Sequence, residues 1–245
     1  MAIYRADPDL HFLSLVDNTD LDLLVSLLIR DPQDGNARVA ETLTSTDEYK
    51  QHAPDHQRYW PSVAAELQTF GANSLVSLFR GGQGVPYREV LCDACDKMKV
   101  NYNKNATTEN IELNMLLKVL ENSLAKMSEQ DLRELAKEMQ VEISNPTPQL
   151  MLMAVQTAIR SSGFAAYRMT TMLVSILAKS LLGRALPFGA YVMLTRSISL
   201  LTGPVGWVLS SAWLAADIAG PAYRVTIPAC MLVAWMRQKT QCQSH

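Results

Sequence analysis

The stretch FAAYRMTTMLVSILAKSLLGRALPFGAYVMLTRSISLLTGPVGWVLSSAWLAADIAGPAYRVTIPACMLVAW, residues 164–235, decides how this chain is read. It is apolar, rich in Ser, Thr, Gly and Ala, and holds one acid, Asp217. From Arg160 to His245, eight Lys or Arg stand against that single acid, a net charge of +7. The whole chain carries −2, so residues 1–159 carry −9. An acidic half is joined to a cationic, apolar one, and that split points to a lipid surface or an apolar partner.

A single membrane-spanning helix needs roughly 20 apolar residues in a row. Here charges interrupt at Arg168, Lys179, Arg184, Arg196, Asp217 and Arg224. The charge-free window Ser197–Ala216 contains Gly203-Pro204-Val205-Gly206, where Pro204 removes a backbone donor and restricts its neighbour. The pattern predicts four short apolar helices, near 164–182, 186–201, 205–219 and 221–236, with Tyr223–Ile227 as a short β-flavoured patch. In the first, Arg168, Thr171, Ser175 and Lys179 recur at helical spacing, a narrow cationic stripe on a broad apolar surface. Such a helix suits the edge of a core or the surface of an anionic membrane, with Arg168 and Lys179 as candidate lipid-facing residues. An apolar subdomain buried within the protein or in a homo-oligomer accounts for the same pattern.

Working outward, Asn145-Pro146-Thr147-Pro148 is the strongest linker signal, and the charge balance changes soon after it. Upstream, every long periodic segment repeats near 3.6 residues. Thr19 with Asp22, and Ser45 with Glu48, have capping-box spacing. Thr108 opens a helix with Glu109 and Glu112 in its first turn, and Ser128 caps another. Pro54 and Pro61 suit the first turns of the helices they precede. Gly71 marks a close packing point within the helix Val63–Arg80. The sequence therefore predicts an all-α helical bundle, with an acidic polar N-terminal part and an apolar cationic C-terminal part. Its expected segments are 1–50, 51–148 and a membrane-associating 149–245.

The loop Arg80-Gly81-Gly82-Gln83-Gly84-Val85-Pro86-Tyr87-Arg88 admits two readings. Arg80, Gly81, Gly82, Gly84 and Arg88 could cradle an anion at the next helix's N-terminus. A tight interhelical connection explains the glycines as well, and there is no Walker Lys-Ser/Thr. Cys92-Asp93-Ala94-Cys95 is a lone pair of thiols without a second Cys pair or suitably spaced histidines, so it reads as two small buried side chains and not a metal or redox centre. No Gly-x-Ser-x-Gly, His-Glu-x-x-His or nucleic-acid pattern is present, and nothing implies a cofactor. Charges at the start of the chain argue against a secretion signal and for the cytoplasm.

Asp217 lies within Trp213-Leu214-Ala215-Ala216-Asp217-Ile218-Ala219. A carboxylate there needs a cation, and Arg224 or Arg196 is the candidate partner. The pair either fixes helix packing or acts as a pH trigger that frees the apolar helices.

Three motifs carry a resemblance: Tyr4-Arg5-Ala6-Asp7-Pro8-Asp9-Leu10, Phe70-Gly71-Ala72-Asn73-Ser74, and Asp217-Ile218-Ala219-Gly220-Pro221-Ala222-Tyr223-Arg224-Val225-Thr226-Ile227-Pro228. With them the chain resembles the YaaW-type family of uncharacterised bacterial proteins over nearly its whole length. That resemblance implies a bacterial cytoplasmic origin. The family's middle region is distantly like the ubiquinol–cytochrome c chaperone domain, which implies an assembly factor working at an energy-coupling membrane. The expectation is a non-enzymatic, chaperone-like or membrane-associated protein, peripheral on the inner membrane, whose partner is a lipid surface or an apolar client. A membrane-perturbing protein stored in soluble form is the second reading, and an enzyme with an unrecognised site is the third.

Overall fold

The computed structural model describes residues 2–31, 36–38, 41–71, 84–139, 142–182 and 223–243. Nine α-helices run through them: α1 Asn18–Ile29, α2 Asp47–His52, α3 Trp60–Gly71, α4 Tyr87–Lys97, α5 Thr108–Leu124, α6 Glu129–Glu138, α7 Pro148–Ser161, α8 Gly163–Leu182 and α9 Tyr223–Gln243. Short 3-10 turns lie at His11–Leu15, Leu43–Ser45 and His56–Tyr59. Among the described residues β-pairing is confined to isolated bridge positions, Arg30 with Ala37, and Ile3, so the fold is all-α as expected.

Local signals at the helix starts were legible to within a residue or two. Ser128 caps α6 in a full capping box with Asp131. Two other caps are displaced from the expected residue. Asp17, not Thr19, precedes α1, and its carbonyl takes the first backbone bonds, from Asp20 and Leu21. Thr46, not Ser45, caps α2, because its hydroxyl accepts from the Tyr49 amide. Pro61 lies in the first turn of α3 as expected. Pro54 does not start a helix: it follows α2 through a cis bond to Ala53. Tyr223–Ile227 is not extended; it forms the opening turns of α9, which runs on to Gln243 past the expected end. Of the four expected apolar helices, the first is α8, and those near 186–201 and 205–219 lie outside the described residues.

The chain divides into two compact units. One comprises Met1–Glu112 together with Ile218–His245. Its centre is α9, which packs against α1, α3, α4 and the turn at His11–Leu15. All twelve residues from Val225 to Met236 are buried, more than three turns, so every face of the helix is covered. Trp235 is the largest fully buried side chain, and Leu21, Leu24, Leu28, Leu67 and Leu91 are enclosed with it. Pro228 supplies no amide hydrogen, so one rung of the α9 ladder is missing. Gly71 is a contact point, as its position suggested: a Cβ there would lie 2.2 Å from Cγ2 of Val90.

The other unit is Leu113–Asp217. Within it α6 packs on α7, and α7 on α8. Thr147 caps α7, accepting from the Leu150 amide, and Pro148 takes the first helical position. Asn145, Pro146 and Thr147 of the expected linker lead directly into this helix. In α8 the side chains of Tyr167, Met169, Met172, Leu173, Val174 and Leu177 are buried. So are Thr170, Thr171 and Ser175, whose hydroxyls donate to the carbonyls of Ala166, Tyr167 and Thr171, four residues back. The polar stripe expected on this helix is therefore partly interior, with Arg168 half-buried.

Candidate functional site

The densest polar arrangement lies in the first unit, where the N-terminal segment Tyr4–Leu10 meets α3, α4, α5 and α9. The segment is irregular, and side chains from those helices satisfy its backbone. The Gln68 side chain accepts from the Arg5 amide at 3.0 Å and donates to the Arg5 carbonyl at 2.9 Å. Asp7 folds over itself in an Asx turn, its Oδ1 accepting from the Asp9 amide. Its Oδ2 accepts from the Tyr87 amide at 2.7 Å. Tyr87 is the first residue of α4, whose own preceding residue, Pro86, offers no side-chain cap. Asp7 thus caps α4 from eighty residues away, satisfying an orphan amide and placing negative charge at the helix's positive end.

Asp9 extends the tie to the other helices. Its Oδ2 accepts from the Thr108 hydroxyl at 2.9 Å, and its carbonyl accepts from Nη2 of Arg237 at 2.7 Å. Arg237 also donates through Nε and Nη2 to Glu112 at 3.0–3.2 Å, and its guanidinium lies 4.5 Å from the Phe12 ring centroid. The Tyr87 hydroxyl donates to Glu112 Oε1 at 2.8 Å. Glu112 is 1% exposed and Arg237 6%. Burial pushes the Glu112 carboxyl up, and Arg237 works against it. Three donors, the Tyr87 hydroxyl and Nε and Nη2 of Arg237, converge on this carboxylate and favour its charged form. Burial, and then the Glu112 charge, push the Tyr87 phenol well above its ordinary value, so it serves as a donor.

A second tie lies two residues further along α9. Lys239 donates to Asp20 at 2.5 Å and to Asp17 at 3.3 Å, at the N-terminal end of α1. Asp20 is 1% exposed, its Oδ1 has no hydrogen-bond partner, and burial raises its carboxyl. On the far side of α1, buried His56 bridges Asp22 Oδ1 (3.1 Å) and the Tyr59 hydroxyl (2.5 Å). Burial keeps the Tyr59 phenol protonated, so the trio braces α1 against the turn His56–Tyr59 and holds no activated nucleophile. The thiols are equally quiet. Cys95 is pushed up to about 12 by burial, and Cys230 well above its usual value for the same reason. Among the described residues no group of three His, Cys, Asp or Glu is placed to hold a metal.

Of the residues singled out in the sequence, Arg80, Gly81, Gly82, Arg196 and Asp217 lie outside the described residues, as does the side chain of Lys179. Gly84 is buried with its Cα against α3. A Cβ there would lie 2.3 Å from the Gln68 carbonyl carbon, and the next amide, Val85, donates to the Gln68 carbonyl. Arg88 donates to the carbonyls of Lys104 and Ala106 and to the Thr108 hydroxyl, fastening the break before α5. Arg224 is exposed in the first turn of α9. Sequence reasoning passed over Glu112, Arg237, Lys239, Asp20 and Tyr87. One signal was available: Arg237 and Lys239 follow a twelve-residue uncharged run, Val225–Met236, and a buried helix ending in two cations implies carboxylates to receive them.

The chain matches two family models, a domain of unknown function (DUF3944) over residues 4–39 and the ubiquinol-cytochrome C chaperone over residues 55–239. It is 45% identical over 239 residues to a UPF0174 protein of Helicobacter pylori, covering 97% of this chain and 94% of that one. A second UPF0174 protein of Helicobacter pylori is 38% identical over 208 residues, covering 83% and 99%. The UPF0174 protein YaaW of Escherichia coli is 30% identical over 241 residues, covering 96% and 95%. No solved structure matches.

Proposed function

The chain belongs to the UPF0174 family, and from that premise we propose that it is a non-enzymatic, assembly-type chaperone that shields an apolar segment of a client protein. The observation that carries the reading is the ubiquinol-cytochrome C chaperone match, which spans three-quarters of the chain and supports a chaperone or assembly role. The described interior of the first unit is closed. Its central helix is covered on all sides, and the two cations near the end of that helix are paired with buried carboxylates. Client contact therefore falls to surfaces outside that interior. On composition alone we assign it to residues 183–222, a forty-residue run whose only charges are Arg184, Arg196 and Asp217. Its composition suits apolar segments of other chains, and a protein of this kind works where such segments emerge, at the cytoplasmic face of a membrane.

Dilution of a chemically unfolded protein in the presence of the full chain tests the reading by light scattering. Aggregation is expected to fall at equimolar chaperone, and the double substitution Leu200→Asp/Leu201→Asp is expected to abolish the effect. Unchanged scattering at a large molar excess of the full chain overturns the proposal.

A further inference from the structure

We infer that the outer face of α7, with the turn that joins it to α8, is a docking surface for an anionic membrane. Five large apolar side chains are exposed among the described residues, and three fall within this fifteen-residue window: Leu150 at 43%, Met153 at 61% and Phe164 at 43%. Their exposure follows from helical geometry. Met151 and Val155 turn inward, which leaves Leu150, Met153 and Thr157 on the opposite face with Arg160 at its edge. Five consecutive residues, Arg160 to Phe164, are exposed where α7 ends and α8 begins. A Cβ on Gly163 would meet nothing within 4 Å, so the turn is open at that point. Phe164 is braced from one side by the Tyr167 ring, 6.4 Å away between centroids.

Charge and spacing select the occupant. No acid occurs between Glu142 and Asp217, whereas Arg160, Arg168, Lys179, Arg184 and Arg196 fall in that interval. Nothing within it repels phosphate headgroups, and Arg160 is exposed at the turn itself. At 1.5 Å of rise per residue, Leu150 lies roughly 16 Å from the end of α7 at Ser161, and Phe164 follows beyond the turn, in α8. Anchors so far apart do not make the contiguous apolar centre that a protein partner would bury. They suit a plane that takes each side chain separately, with an aromatic at headgroup depth. No helix among the described residues is long and apolar enough to cross a membrane.

The inference stands apart from client shielding and fails separately from it. The test is flotation of the full chain with phosphatidylcholine vesicles and with mixed phosphatidylcholine–phosphatidylglycerol vesicles. Binding to the anionic vesicles is expected to exceed binding to the neutral ones by about tenfold, and to fall with salt. Met153→Asp/Phe164→Asp and, separately, Arg160→Glu are each expected to weaken it by about tenfold with the far-UV helix signal unchanged. A second measurement attaches an environment-sensitive dye to Met153→Cys and, as a control, to Arg133→Cys on the exposed face of α6. Only the dye at 153 is expected to shift to the blue on anionic vesicles. Any of three results overturns the inference: equal binding to neutral vesicles, unweakened binding by both substituted chains, or a dye at 153 that stays in water. Loss of self-association or of client shielding in those substituted chains, with flotation unchanged, overturns it in favour of a protein-docking face.

Discussion

Helices α8 and α9 come from the same acid-poor half of the chain, yet they settle their polar groups in opposite ways. In α8 the hydroxyls of Thr170, Thr171 and Ser175 turn back onto the helix's own carbonyls. Those bonds are closed within the helix itself. In α9 the polar groups reach across the sequence: Arg237 to Glu112 and the Asp9 carbonyl, Lys239 to Asp17 and Asp20. Those bonds exist in one arrangement only. The contrast is between hydroxyl bonds closed within one helix and charged bonds that commit a helix to a single seat. The committed helix is the one that draws the two ends of the chain into one unit.

The largest expected effect breaks the committed side. Arg237→Met leaves Glu112 buried without its cation and should cost about 3–5 kcal/mol in urea unfolding. Adding Glu112→Leu should recover a large part of that loss, because the orphaned charge goes with it. If Arg237→Met costs no more than an exposed pair such as Arg133 with Glu129, α9 is not seated by charge. Tyr87→Phe comes next. It deletes a buried donor to a carboxylate and should cost about 2 kcal/mol at neutral pH, read from the same unfolding curves.

Acid should sharpen the contrast further. Glu66 in α3 is buried and accepts from the Thr42 amide and hydroxyl; burial raises its carboxyl, and Glu41 adds to the rise. A carboxyl whose folded pKa lies above the unfolded one takes up a proton on folding. Its contribution is therefore full below the unfolded glutamate value near ~4.3 and is lost as pH rises through the folded pKa. Relative to Glu66→Gln, the parent chain should gain stability as pH falls across that window, and a difference that moves the other way would refute the burial effect. The smallest effect is expected in α8: Ser175→Ala should stay within about 0.5 kcal/mol of neutral, since the hydroxyl serves only a carbonyl already in the helix ladder. A loss comparable to that of Tyr87→Phe would show that α8 is committed after all.

Much of this was legible in the sequence, and the failures are instructive. The capping box at Ser128, the inward face of α3 and the extent of α8 follow from spacing and local chemistry, which act over four residues and leave their mark in the chain. The caps of α1 and α2 fell one or two positions away because several hydroxyls and carboxylates compete at each start, and packing selects among them. Tyr223–Ile227 looked extended by composition, but the packing of Val225, Thr226 and Ile227 in the interior overrode that preference. Of the glycines before α4, Gly84 lies against the α3 backbone as a tight connection requires, while Gly81 and Gly82 lie outside the described residues.

By itself the sequence determined the class of fold, the charge division between the halves and the helical register of α3, α6 and α8. It did so because periodicity, caps and net charge are properties of neighbours along the chain. Only the tertiary structure decided that Asp7 caps α4, that Glu112 receives Arg237, and that α9 is enclosed among the N-terminal helices. Those partners lie 80, 125 and more than 200 residues apart. A pairing over such distances has no local signature. It is chosen when buried charges, which cannot be left alone in an apolar interior, find the one arrangement that satisfies them together.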